Sequence, residues 1–230
     1  MLSPLESAAL LLSLKVGVTA VLAILPLAYM LAFILARGRF WGHSLLNMLV
    51  HLPLVLPPVV TGYALLLLFG AQGAVGAWLQ NFGIRLIFDW SGAALASAIM
   101  ALPLMVRAMR LALEAVDPRL EEAARTLGAS RFHAFATITL PMSFSGIMAG
   151  MILGFAKSVG EFGATITFVS NIPGQTQTLP LAIYSALQIP GGEDQVWRLA
   201  LLSVALSAGA LLISEYLVRR AQHKRGRHGL

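Results

Sequence analysis

DPRLEEAARTLGASRFHAFATITLP, residues 117–141, is a polar segment between two long apolar runs, and its reading decides how the chain is built. Asp117 followed by Pro118 predicts a helix start, an N-cap acceptor with proline at the first helical position. Glu121 and Glu122 fall in the early turns, where the helix dipole favours acids. Glu121 stands four residues before Arg125, the order that favours a surface ion pair. Gly128 marks the helix end, and a second helix is expected to begin near Ser130 and to run into the next apolar segment past Pro141. Taken locally, these features describe either a rigid lever hung between two apolar helices or a solvated connecting loop.

Outward from this segment the chain is apolar. Of 230 residues 58% are hydrophobic and only 11% charged, against about 25% charged in a soluble domain. Five stretches reach the length of about 20 residues that a bilayer crossing needs: about 8–36, 46–70, 91–114, 135–155 and 196–217. The expected fold is therefore one all-α polytopic membrane domain over residues 1–230, with five transmembrane helices and residues 115–134 as an internal loop. Five crossings put Arg37, Arg39, Arg107, Arg110, Arg119, Arg125, Arg131, Arg219, Arg220, Lys224, Arg225 and Arg227 on one side, twelve of the 16 basic residues. The other side holds Arg85 and Arg198 beside Glu6, Asp89, Glu193 and Asp194. The basic side is read as cytoplasmic, which makes the chain N-out and C-in. The N-terminus lacks a basic leader and reads as an uncleaved first span. Lys15 is expected to snorkel outward, and Trp41, Trp78, Trp90 and Trp197 fall near span ends.

Three features interrupt the plain helices. Pro57-Pro58 is expected to break or sharply kink the second span, either to line a path or simply to pack the bundle. Residues 178–188, TLPLAIYSALQ, are too short to span and lie between the turn signals Ile172-Pro173-Gly174 and Pro190-Gly191-Gly192, so a short outer or re-entrant helix is expected. Residues 71–90 form a second outer loop, expected to be partly helical. In the fourth span Gly146, Gly150 and Gly154 recur every four residues, a face for close helix packing whose partner helix is open. Beyond it, Lys157 and Glu161 are spaced to pair on one helix face. Together with Gly160, Phe162 and Gly163 they are candidates for a translocation path, the alternative being a structural ion pair near the outer interface.

Glu122-Ala123-Ala124, then Gly128, then Ile138-Thr139-Leu140-Pro141 resembles the EAA loop of ABC-importer permeases. The resemblance extends over most of the chain: His51 to Tyr63, Arg110 to Arg131 and Ser158 to Tyr184 are similar to the molybdate subfamily, with sulfate and thiosulfate permeases as near relatives. It implies a MetI-like type I ABC importer permease fold in the bacterial inner membrane, here as a five-helix subunit. It further implies a homodimer, cytoplasmic ABC ATPase subunits that use ATP and Mg, and a periplasmic oxyanion-binding protein. Leu120, Glu121, Glu122, Ala123, Ala124, Arg125, Thr126, Leu127, Gly128, Ala129 and Ser130 would then be the surface that docks on the ATPase, with Glu122 as polar contact. No residue here selects molybdate over tungstate or sulfate on physical grounds.

The remaining signals set limits. The chain has no GxxxxGK[ST] loop, so ATP hydrolysis is expected from a separate subunit, and no cofactor is expected on this chain. It has no cysteine, and its five histidines lack metal-ligand spacing, so neither a metal site nor catalytic residues are expected. The basic tail, including His223 and His228, is read as a contact with membrane lipid rather than nucleic acid. No dense cationic cluster is apparent along the sequence. A channel or secondary transporter working without ATP is the rival reading from a different class.

Overall fold

The computed structural model describes residues 3–226; of the basic tail, Arg227 and His228 lie outside them. Helix α1 (Pro4–Arg37) opens with a capping box. Ser3 Oγ accepts from the Glu6 N–H at 3.2 Å, and Glu6 Oε2 accepts from the Ser3 N–H at 2.7 Å. Helices α2 (His43–Val55) and α3 (Pro58–Phe69) meet at 111°. The break follows from the two prolines. Each residue before a proline is driven out of the helical region, and Leu56 (ψ 145°) and Pro57 (ψ 132°) are both extended. Neither proline has an N–H to carry the helical ladder across.

Helix α4 (Ala74–Gln80) lies in the loop 71–90, with Trp78 packed edge-on to Phe82 at 4.9 Å. Helix α5 (Trp90–Glu114) is the most buried of the long helices. Helix α6 (Pro118–Thr126) follows. Then α7 (Arg131–Ala134), a π-turn over Phe135–Thr139 and α8 (Leu140–Val159) run on as one helical rod. The π-turn sits just before Pro141, where the Leu140 N–H reaches back five residues to the Phe135 carbonyl. An extra residue in the turn re-sets the ladder where proline supplies no donor. Helices α9 (Gly163–Val169), α10 (Leu179–Leu187) and α11 (Glu193–Gly226) complete the described chain. Among the described residues α1, α5 and the 131–159 rod are long and apolar enough to cross a bilayer, and the bent α2–α3 pair makes a fourth if it is one broken span. The expected span 196–217 falls within α11.

Helix α5 is rich in small residues because it is packed on two sides. Met105, Met109 and Leu113 meet Ala28, Ala32 and Leu35 of α1 in one core, and Ala96 and Met100 meet Leu65 of α3 and Phe168 of α9 in another. On its other flank runs the glycine face of α8. A Cβ on Gly146 would stand 2.2 Å from the Cβ of Ala112, and one on Gly150 would be 2.8 Å from Met109 Cε. At Gly154 the corresponding distance is 2.7 Å, to Met105 Sδ. The partner of the glycine face is thus α5 of the same chain.

This contact yields a graded prediction. Ala112 is a methyl on a helix and cannot swing aside, whereas Met109 Cε is the far end of a flexible side chain. Gly146→Ala is expected to destabilise by about 1–3 kcal/mol, the usual range for overpacking, and Gly150→Ala by clearly less. Thermal midpoints of the two variants in detergent check the order; equal midpoints would mean that α5 and α8 are not in close contact.

A third core joins Ala9 of α1 to Leu179 and Ala186 of α10 and Leu199 of α11. Around it the Leu179 N–H donates to Ser13 Oγ at 2.7 Å, and Arg198 Nε lies 3.0 Å from Glu6 Oε1. The loop between α9 and α10 turns at Ile172–Gln175, where the Gln175 N–H reaches the Ile172 carbonyl at 3.1 Å. Pro173 and then Gly174, at φ +76°, are what a type II turn requires. Lys15 Nζ lies 3.6 Å over the Trp90 ring, so its charge rests on an aromatic face. At the opposite end of α1, Arg37 Nη2 donates to the Val116 carbonyl at 2.8 Å. The C-terminal ends of α1 and α5 therefore sit together with α6, far from the α10–α11 end.

Candidate functional site

Helix α6 is built from its own sequence. Asp117 Oδ1 accepts from the Arg119 N–H at 2.9 Å, and Pro118 occupies the first turn. The helix stops at Thr126, and Gly128 adopts φ +94°, a left-handed conformation that side chains resist. Ser130 Oγ then accepts from the His133 N–H at 3.1 Å and starts α7. No residue of α6 is buried. Leu120, Leu127 and Phe132 expose 42%, 89% and 79% of their surface on and beside a polar helix, a set of apolar side chains left uncovered among the described residues. Glu122, Ala123, Arg125, Thr126, Gly128 and Ser130 are exposed as well, while Glu121, Ala124 and Ala129 are half-buried.

The surface ion pair expected between Glu121 and Arg125 is not formed. The ion pairs among the described residues are Arg110–Glu114, Lys157–Glu161 and Arg198–Glu6. Glu121 instead accepts a hydrogen bond from Thr139 Oγ1 at the end of the π-turn. Thr139 is fully buried, and a buried hydroxyl without an acceptor costs about 1–3 kcal/mol, more than the few tenths an exposed helix pair returns. The competition goes to Thr139. One turn further, Tyr29 Oη and Ser143 Oγ are 2.9 Å apart, and Phe135 packs against both Tyr29 and Phe33. The root of α8 is thereby fastened to both α6 and α1. Between these elements lies a cavity of about 690 Å³, walled by Tyr29, Phe33, Phe132 and Phe135 with Arg125 and Arg131 at its polar side.

A second group of candidates lies deeper in the bundle. A Cβ on Gly163 would be 2.8 Å from Pro58 Cβ, and one on Gly62 would be 2.6 Å from the Ala164 carbonyl oxygen. The broken span and the GEFG run (Gly160–Gly163) are thus brought together, with α3 and α9 nearly touching backbone to backbone. Glu161 is buried, 2.7 Å from Lys157 Nζ, and its Oε1 accepts from the Ala164 N–H at 3.0 Å. Gly160 closes α8 without crowding, and Phe162 packs on Tyr184 of α10 at 5.2 Å. Thr61 and Thr165, on the two crossing helices, carry buried hydroxyls with no hydrogen-bond partner among the described residues.

A third group was not anticipated. Asn47 and His51 of α2 and Arg107, Arg110 and Glu114 of α5 line a cavity of about 290 Å³ at the Arg37 end of the bundle. The cations are 56 or more positions from His51, so only the fold gathers them.

The sequence model of the family described as binding-protein-dependent transport system inner membrane component matches residues 24–223. The chain is 56% identical over 223 residues to the molybdenum transport system permease protein ModB of Haemophilus influenzae, covering 96% of this chain and 97% of that protein. It is 39% identical over 198 residues to the sulfate transport system permease protein CysT of Escherichia coli strain K12, covering 86% of this chain and 70% of that one. Among solved structures, a bacterial ABC transporter that imports the acidic polysaccharide alginate is similar with a TM-score of 0.75 at 17% identity, over 95% of this chain and 80% of that one. The MetNI methionine ABC transporter, in inward-facing conformations, is similar with a TM-score of 0.71 at 16% identity, over 94% of each chain. At these identities the two structures speak for the fold alone.

Proposed function

The chain belongs to the family of binding-protein-dependent transport system inner membrane components, and from that premise we propose that it is the permease subunit of an ATP-driven importer that carries molybdate across the inner membrane. It is a transport subunit and not an enzyme; ATP is hydrolysed by a separate subunit. The observation that carries the reading is α6, a capped helix with no buried residue, held between α5 and the root of α8. Such a helix receives a push from outside the bilayer and delivers it to the bundle.

In this reading five crossings run N-out to C-in, and two copies form the path. A cytoplasmic ABC ATPase binds ATP with Mg and docks on residues 120–130, and a periplasmic protein supplies the oxyanion. The basic C-terminal tail rests on membrane lipid. Pro57 and Pro58 at the break, with Lys157, Gly160, Glu161, Phe162 and Gly163, border the path. Motion of α6 reaches α8 through Glu121 and Thr139, and reaches α1 through the Arg37 bond to Val116. The tight glycine contact then makes α5 and α8 move as one body.

Uptake by cells carrying the complete transporter tests the substrate. Labelled molybdate is expected to enter, to be displaced by tungstate more readily than by sulfate, and to stop on depletion of the ATPase. Stronger competition by sulfate would transfer the assignment to the sulfate branch, and uptake surviving ATPase depletion would establish a channel or secondary transporter. The transmission route makes its own prediction. Thr139→Val is expected to lower molybdate transported per ATP hydrolysed about tenfold or more, as loss of one hydrogen bond to a charged group does. Thr139→Ser should restore it. An unchanged ratio in Thr139→Val would remove Glu121 from the route.

A further inference from the structure

We propose that the cavity between the inner halves of α2 and α5 is a low-affinity exit site for a tetrahedral oxyanion, held by Arg107 and Arg110. The inference rests on the importer reading and adds to it a place where the substrate is held on this chain.

Two guanidinium groups, of Arg107 and Arg110, stand in the cavity wall beside Leu111 and the Glu114 carboxylate. Arg110 is pre-oriented: its Nε lies 2.7 Å from Glu114 Oε1, and its Nη1 donates to Asn47 Oδ1 at 3.1 Å. His51 Nδ1 lies 2.8 Å from the Asn47 carbonyl oxygen, which accepts only. That bond places the ring proton on Nδ1, so the neutral ring turns an Nε2 lone pair to the cavity and His51 shapes the wall without donating to the anion. Arg107 is exposed and makes no hydrogen bond or ion pair among the described residues. An uncommitted guanidinium two turns inside the end of an apolar spanning helix is costly unless it faces water, protein or a passing ion. Guanidinium forks match the paired oxygens of a tetrahedral oxyanion.

The balance of charge fits an exit and not a trap. Two arginines face one carboxylate, Glu114, so the site is cationic by one charge apart from His51. A path needs binding favourable enough to admit the ion and weak enough to release it. The location agrees: the cavity lies at the same end of the bundle as Arg37 and α6, where the proposed orientation puts the cytoplasm. Sulfate, molybdate and a lipid phosphate share the chemistry that these residues recognise, so the test separates them.

The experiment uses the complete permease–ATPase complex without binding protein, in nanodiscs of phosphatidylcholine only, and measures retention of labelled molybdate. Wild type is expected to bind saturably, and Arg107→Gln to weaken binding about tenfold or more, as loss of a charged hydrogen-bond donor does. Arg107→Lys should recover part of the loss. Cross-linking of Gly128 to the ATPase, unchanged in Arg107→Gln, shows that the variant assembles. Equal binding by wild type and Arg107→Gln overturns the proposal, as does displacement of the label by added phosphatidylglycerol, which assigns the cavity to a lipid headgroup. If transport assays show sulfate and not molybdate as substrate, labelled sulfate replaces molybdate; Arg107-dependent retention of sulfate then upholds the site while the molybdate reading falls.

Discussion

Ala123→Arg is expected to leave the permease folded in the membrane and to cut molybdate uptake about thirtyfold or more. Ala123 is exposed, and no residue of α6 is buried, so the bundle does not draw its stability from this surface. Arginine is also nearly as good a helix former as alanine, so α6 itself should persist. Its long cationic side chain nevertheless prevents close approach of any partner to the face formed by Ala123 and its neighbours. Disrupting the packed centre of a protein interface costs 2 kcal/mol or more, hence the factor of about thirty. The measurement pairs uptake with co-purification of the ATPase and the thermal midpoint of the permease. Loss of both uptake and ATPase with an unchanged midpoint is the expected pattern. Normal co-purification with normal uptake would mean that α6 is an ordinary connecting loop and that the force enters elsewhere.

What could be read ahead of the structure was local. The Asp117 cap, the stop at Gly128, the restart at Ser130 and the break at Pro57-Pro58 each depend on a few adjacent residues, whose backbone preferences were legible one at a time. The turn at Ile172–Gln175 is of the same kind. Choices settled by partners distant in sequence were not legible. Glu121 has a cation four residues on and a buried hydroxyl eighteen residues on, and the second wins only because the π-turn brings Thr139 back over α6. Spacing identified the face of Gly146, Gly150 and Gly154 but not α5 as its partner, because helix periodicity carries no information about the opposing surface. His51 and Arg107 are unremarkable singly; their meeting depends on the path the chain takes after the proline break.

Lys157→Met is expected to be the most destabilising of these substitutions, and Glu161→Gln much milder. The Glu161 side chain is 1% exposed and is held by the Lys157 ammonium at 2.7 Å and the Ala164 N–H at 3.0 Å. Removing the lysine leaves a buried carboxylate with one neutral donor, and an uncompensated buried charge of this kind costs about 3–5 kcal/mol. That is a large share of the 5–15 kcal/mol typical of a folded domain. Glutamine at position 161 keeps the shape and can still accept from the Ala164 N–H, while Lys157, 27% exposed, can turn its charge toward water. The double variant, Lys157→Met with Glu161→Gln, should therefore recover most of the stability that Lys157→Met loses. Thermal midpoints in detergent for the three variants measure this coupling, and additive losses would mean that the two charges do not depend on each other. Uptake then separates two roles for the pair. If the double variant is stable and transports at the wild-type rate, the charges serve the joint between α8 and α9 and not the path. If it is stable but slow, the substrate passes within reach of Glu161.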